Sequence, residues 1–210
     1  MRTSLVLALS VGVLALAACG DDGGTECSGS NCLEELITTV TVTLTPSGGS
    51  PIVAEFDDPD GDGGEPPTID TIALVANTTY TVTVGFQNRL ETPAEEITDE
   101  VRDEAEDHQI FFTGSAVNGP ATDNPNAAIT HAYADQDRTG LPIGLDNTFV
   151  VGSATGGDLI VTLRHLPPLN GQPTKTADTA ATVKASGFSA IGGENDAQVT
   201  FPVVIATPRR

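Results

Sequence analysis

The side chains with metal or acid–base chemistry to offer are three histidines and an unusual number of carboxylates. His108 closes a run dominated by Glu and Asp, and Glu104 stands four residues before it. On a helix that spacing places both on one face. At 100° per residue, His108 lies only about 20° from Ile97, inside the stripe formed by Ile97, Val101 and Ala105. His165 continues the alternating series Leu159, Val161, Leu163, which predicts an inward strand face ending in an imidazole. Imidazole and carboxylate suit zinc. If the helix packs over that strand end, Glu104, His108 and His165 supply three ligands. A fourth position is then left for water, as a delivery or sensing site needs. The competing reading is that His108 caps the last helical carbonyls or bonds a neighbouring carboxylate. His131 shares parity with Ile129 and Tyr133, and its direction stays open.

A second acidic group is Asp58, Asp60 and Asp62, in Asp57-Asp58-Pro59-Asp60-Gly61-Asp62-Gly63-Gly64. Its first half matches an EF-hand loop, but the twelfth position, which needs a bidentate Glu, is Ile69, and no helices flank it. A looser oxygen-ligand calcium loop between two strands stays open beside the plain reading of Asp and Gly as turn residues. Asp135-Gln136-Asp137-Arg138-Thr139-Gly140 is a weaker case of the same kind. There is no G-x-S-x-G, H-E-x-x-H, P-loop or Rossmann fingerprint, and no Trp for sugar stacking. The sequence points away from an enzyme, metal-dependent hydrolysis included.

The elements that must position these groups are strands. Thr39 to Thr45 alternates Thr with Val and Leu; Tyr80 to Phe86, Leu159 to Arg164 and Val199 to Ile205 repeat period two. Pro202 in the last predicts an edge or a bulge. Shorter candidates are 52–56, 69–75, 109–113, 127–133 and 147–151, separated by Gly-rich turns. The exception is 93–107, where Thr92 as N-cap, Pro93 and Glu95 predict a helix whose terminal acids oppose its dipole. The expected fold is all-β, an antiparallel immunoglobulin-like β-sandwich with this one short acidic helix inserted.

The start of the chain has its own chemistry. Arg2 precedes an apolar run, Leu5 to Leu16, of twelve residues, too short for a bilayer of about 30 Å. Leu16-Ala17-Ala18-Cys19 resembles the lipobox of bacterial lipoproteins. The resemblance implies cleavage before Cys19, diacylglycerol on its sulfur and, from Gly20 after it, the outer membrane. Residues 1–18 are then a signal peptide, 19–34 a lipidated tether, and 35–207 one domain. Cys27 and Cys32 are read as a disulfide closing a small loop in an oxidising periplasm, with a two-thiolate metal site as the alternative.

With 9 Lys+Arg against 29 Asp+Glu, the net charge is −20, which excludes a nucleic-acid binder. The pattern from Glu34 to Ile205 resembles small envelope lipoproteins of Bacteroidota, often labelled type 1 periplasmic binding fold proteins. It does so through Glu35-Leu36-Ile37-Thr38-Thr39-Val40, Glu91-Thr92-Pro93-Ala94-Glu95-Glu96-Ile97-Thr98, Glu106-Asp107-His108-Gln109, Tyr133-Ala134-Asp135-Gln136-Asp137 and Leu163-Arg164-His165. That label implies alternating βαβ units, whereas the periodicity implies strands. The resemblance also implies an accessory to an outer-membrane receptor. The reading is a lipid-anchored envelope binding or accessory protein, metal- or nutrient-related. The alternative is a structural or adhesive module with calcium-stabilised acidic loops.

Overall fold

The structure, a computed structural model, describes residues 36–61, 63–152 and 155–207. Contacts divide the chain at Leu33/Glu34. The segments expected to be a signal peptide (1–18) and a tether (19–34), with Cys19, Cys27 and Cys32, lie outside the described residues, as does Asp62.

The described unit is β-rich, as the Thr/Val alternation predicts. Its larger sheet contains β1 (Thr39–Pro46), β2 (Ile52–Asp57), β3 (Thr68–Ile69), β5 (Thr78–Asn88), β8 (Val117–Asn118), β9 (Ile129–Tyr133) and β10 (Asp146–Val151). They run in the order β3-β2-β1-β5-β10-β9-β8, and β6 (Glu95–Glu96) pairs with β5 beside that path. The smaller sheet has β4 (Ile72–Val75), β12 (Glu194–Ala206), β11 (Gly157–His165) and β7 (His108–Thr113), in that order. Pairing is antiparallel except β8 with β9 and β4 with β12. Both sheets curl, and their inner faces meet in one core. Val42, Val84 and Phe149 come from one sheet; Phe112, Val161 and Phe201 from the other. Burying each such side chain contributes about 1.5–3 kcal/mol.

Three local expectations need correction. The stretch 69–75 is not one strand. Asp70 exchanges backbone and side-chain hydrogen bonds with Glu55, and the chain then crosses from β3 to β4 in the other sheet. Pro202 lies in an interior strand, where β4 begins pairing only at Val203, so its missing N–H costs no ladder bond there. The helix is shorter than 93–107 and is not alone. Helix α1 (Ile97–Asp103) begins after Glu95 and Glu96 have paired with Asn88 and Gln87, and its N-cap is Glu96, not Thr92. It ends at Glu104, where acids oppose the dipole. Ile97, Val101 and Ala105 do form its buried stripe.

Helix α2 (Thr179–Ser186) is absent from the sequence expectation. It carries no repeating apolar stripe. Ala180 and Val183 cover Phe111 in a separate small cluster, with Phe188 and Ile191.

Candidate metal centre

The candidate centre lies where β7 and β11 begin and end. Their inward cross-strand pairs are Phe112↔Val161, Ile110↔Leu163 and His108↔His165. Two apolar pairs belong to the core and the third is imidazole against imidazole. His108 is therefore not on the helix, as the wheel argument had it, but is the first residue of a strand. It remains close to Glu104 because the chain continues past α1 as a turn, with Asp107 N–H donating to Glu104 O.

The structure brings Glu104, His108 and His165 together. One carboxylate oxygen and one nitrogen of each ring lie within 4.8 Å of one another. The two rings stack with centroids 4.6 Å apart and planes 10° apart. Parallel rings aim their in-plane lone pairs along parallel lines, so a shared ion requires one ring to tilt. His165, only half-buried, has that freedom; His108, 1% exposed, does not. Glu104 is exposed and gives the centre its access to solvent.

His108 Nδ1 lies 3.2 Å from the Glu104 carbonyl oxygen. The capping bond expected of a histidine at a helix end is thus present, and it occupies one ring nitrogen. Nε2 faces Asp196, whose Oδ2 is 3.7 Å away. Burial first, then charge on His165, holds the His108 imidazole down at about 4, against the raising effect of the Glu104 hydrogen bond. The ring is neutral near pH 7, which is the ligating form. Burial also raises the Asp107 carboxyl, with His165 pulling the other way.

The turn from Glu104 to His108 is held from three sides. Lys175 Nζ donates to Ala105 O at 2.7 Å and to Asp137 Oδ2 at 2.8 Å, with both side chains out of solvent. Arg138 grips Glu106 with two guanidinium nitrogens. Leu166 N–H donates to Asp107 O. Gly193, where φ is +76°, packs against the His165 backbone, and an added Cβ would stand 1.8 Å from His165 O. Only glycine fits there.

Other groups fall elsewhere. His131 faces inward, 3% exposed, among Phe112, Tyr133 and Phe149. Asn147 Nδ2 donates to Gly144 O, so its Oδ1 accepts from His131 Nε2–H at 3.0 Å. Among the described residues no carboxylate touches that ring. Asp58 and Asp60 stand at the end of β2. Asp60 Oδ2 accepts from Glu65 N–H, while Asp58 Oδ1 and Asp60 Oδ1 are screened from solvent without a hydrogen-bond partner among the described residues. In the second acidic loop, Asp135 accepts from Gly144 and Asp146 N–H. Asp137 accepts from Thr139, Leu141 and Lys175. Those carboxylates act as loop staples.

Sequence reasoning missed Asp196, Asp137 and Lys175 at this centre. Lys175 sits in a polar stretch with no pattern, and Asp196 depends on a strand irregularity that sequence does not display. No known protein family, curated protein or solved structure matches the chain. No helix among the described residues is long and apolar enough to cross a membrane.

Proposed function

We propose that the chain is a lipid-anchored protein of the cell envelope, held at the outer membrane through Cys19, that binds a divalent transition ion such as zinc at Glu104, His108 and His165. In this reading it is a metal-related accessory to an outer-membrane uptake receptor, carried on an immunoglobulin-like sandwich, and it performs no reaction. The observation that carries the metal reading is the convergence of three ligand atoms within 4.8 Å in a strongly acidic chain. The carboxylate excess raises local cation concentration. The Leu16-Ala17-Ala18-Cys19 sequence supports the anchor. Zinc titration of wild type and His108→Ala tests the site: the expected result is one tight equivalent lost in the variant, and equal affinities would eliminate it. Cys19→Ser tests the anchor. The variant should leave the membrane fraction, and its retention after a high-salt wash would remove the lipoprotein reading.

A second reading keeps the chain a structural or adhesive module whose loop 57–65 binds calcium. The two solvent-screened oxygens of Asp58 and Asp60 favour it. Binding to the folded state alone should raise Tm in millimolar calcium over chelator. Coincident melting curves would leave only the turn reading.

A further inference from the structure

Lys175 and Asp137 form an ion pair with almost no access to water. Their side chains are 1% and 0% exposed, and Nζ stands 2.8 Å from Oδ2. Taking both charges out of water is costly, and their attraction alone often does not offset it. Burial lowers the Lys175 ammonium, against the raising effect of Asp137. Burial pushes the Asp137 carboxyl up, but hydrogen bonds from Lys175, Thr139 and Leu141 hold it down at about 2. The pair is therefore charged. One proton passed from Nζ to Oδ2 turns it into a neutral amine beside a carboxylic acid, the two reactants of an amide.

The surrounding hydrogen bonds suit that reaction. Nζ also donates to Ala105 O at 2.7 Å, which fixes the nitrogen beside the Asp137 carboxyl. Holding amine and carboxyl in contact removes the entropy cost of a bimolecular encounter. The other carboxyl oxygen, Oδ1, accepts from Thr139 N–H at 2.8 Å, Thr139 Oγ–H at 2.7 Å and Leu141 N–H at 3.0 Å. Three fixed donors on one oxygen are the setting that stabilises negative charge developing there as an amine adds to the carbon. A desolvated lysine is also the form that acts as a nucleophile.

We propose that Lys175 and Asp137 condense into an intramolecular amide cross-link, the ion pair being its starting state. Nζ forms a bond to Cγ, and the carbonyl electron pair moves onto Oδ1, where Thr139 and Leu141 hold it. A second proton passes from Nζ to Oδ2, the Cγ–Oδ2 bond breaks and Oδ2 departs as water. Oδ1 then re-forms the carbonyl. No oxidant or co-reactant enters. The product keeps the donors on Oδ1 and the N–H to Ala105 O, and it replaces two buried charges by a neutral amide. Asp137 lies between β9 and β10, and Lys175 between β11 and α2. The bond therefore ties a loop of the larger sheet to one of the smaller, closing 38 residues. Like a disulfide it restricts the unfolded chain, but no reductant opens it. It does not depend on a bound ion.

Peptide mass mapping of the purified full chain tests this. Trypsin cuts after Arg102, Arg138, Arg164, Lys175 and Lys184. Wild type, unfolded and digested, should yield peptide 103–138 joined to peptide 165–184, one water lighter than their sum and uncut after Lys175. Lys175→Arg and Asp137→Ala should each yield the peptides apart. The wild-type spectrum decides the question even where a variant folds poorly. Separate wild-type peptides with complete cleavage after Lys175 would overturn the cross-link and leave a plain ion pair. A joined species persisting in Lys175→Arg would place the bond on another residue and overturn it equally.

Discussion

His108 and His131 are one side chain in two settings. Both lie on inward strand faces, almost wholly buried, and burial drives both imidazoles down to about 4. Around His131 the partners are aromatic rings and one amide. Around His108 they are a second imidazole and two carboxylates. Burial alone therefore does not make a binding site. His131 is an aromatic core residue with a hydrogen bond; His108 stands with a second imidazole and a carboxylate, groups that could hold a metal ion.

The sharpest way to break that contrast is to remove the support of one setting only. Lys175→Met leaves Asp137 buried without its cation and frees Ala105 O. The expected loss is about 3–5 kcal/mol in urea denaturation. Faster amide exchange should concentrate at 104–108 and spare 129–133. A loss below about 1 kcal/mol would mean that the pair does not hold the turn.

Acid acts on both settings at once. Each histidine has a folded pKa of about 4, below its unfolded value of about 6.5. As pH falls, the unfolded chain takes up these protons first, so the stability each contributes is complete above about 6.5 and is lost towards 4. The size is about 3 kcal/mol per histidine at the acid end. In chelator, His131→Phe should flatten the fall in stability between pH 6.5 and 4 by about half. An unchanged slope would show that His131 is not held neutral.

Gly193→Ala is a smaller perturbation and is confined to the His108 side. At φ +76°, with His165 O in the way, it should cost about 1–3 kcal/mol and weaken zinc binding by moving His165. Wild-type affinity in a destabilised variant would detach His165 from the site. Smallest of all, His131→Phe should leave zinc affinity unchanged. A matching loss there would abolish the distinction between the two histidines.

Much of this was legible in the chain. The period-two runs announce β1, β5 and β11, and the parity of Leu159, Val161 and Leu163 correctly carries on to His165. Helical spacing also joins Glu104 and His108, but in the structure a turn and a new strand bring them together. Acids stop α1 early, and its first expected residues pair with β5, a tertiary contact no local rule foresees. Asp196 was invisible for a similar reason. Its position is set by a slip between β11 and β12, which exists only once those strands have met. Helix α2 escaped because its two buried residues answer to Phe111 on another element, not to a stripe of their own.

The proposed ion sits between His108 and His165. Anomalous diffraction at the zinc edge, from crystals grown with one equivalent of zinc, measures it directly. The metal reading predicts a single strong peak about 2 Å from a ring nitrogen of each histidine, with a carboxylate oxygen of Glu104 beside it. Peaks confined to surface carboxylates or to loop 57–65, with the two rings still stacked and empty-handed, would contradict it.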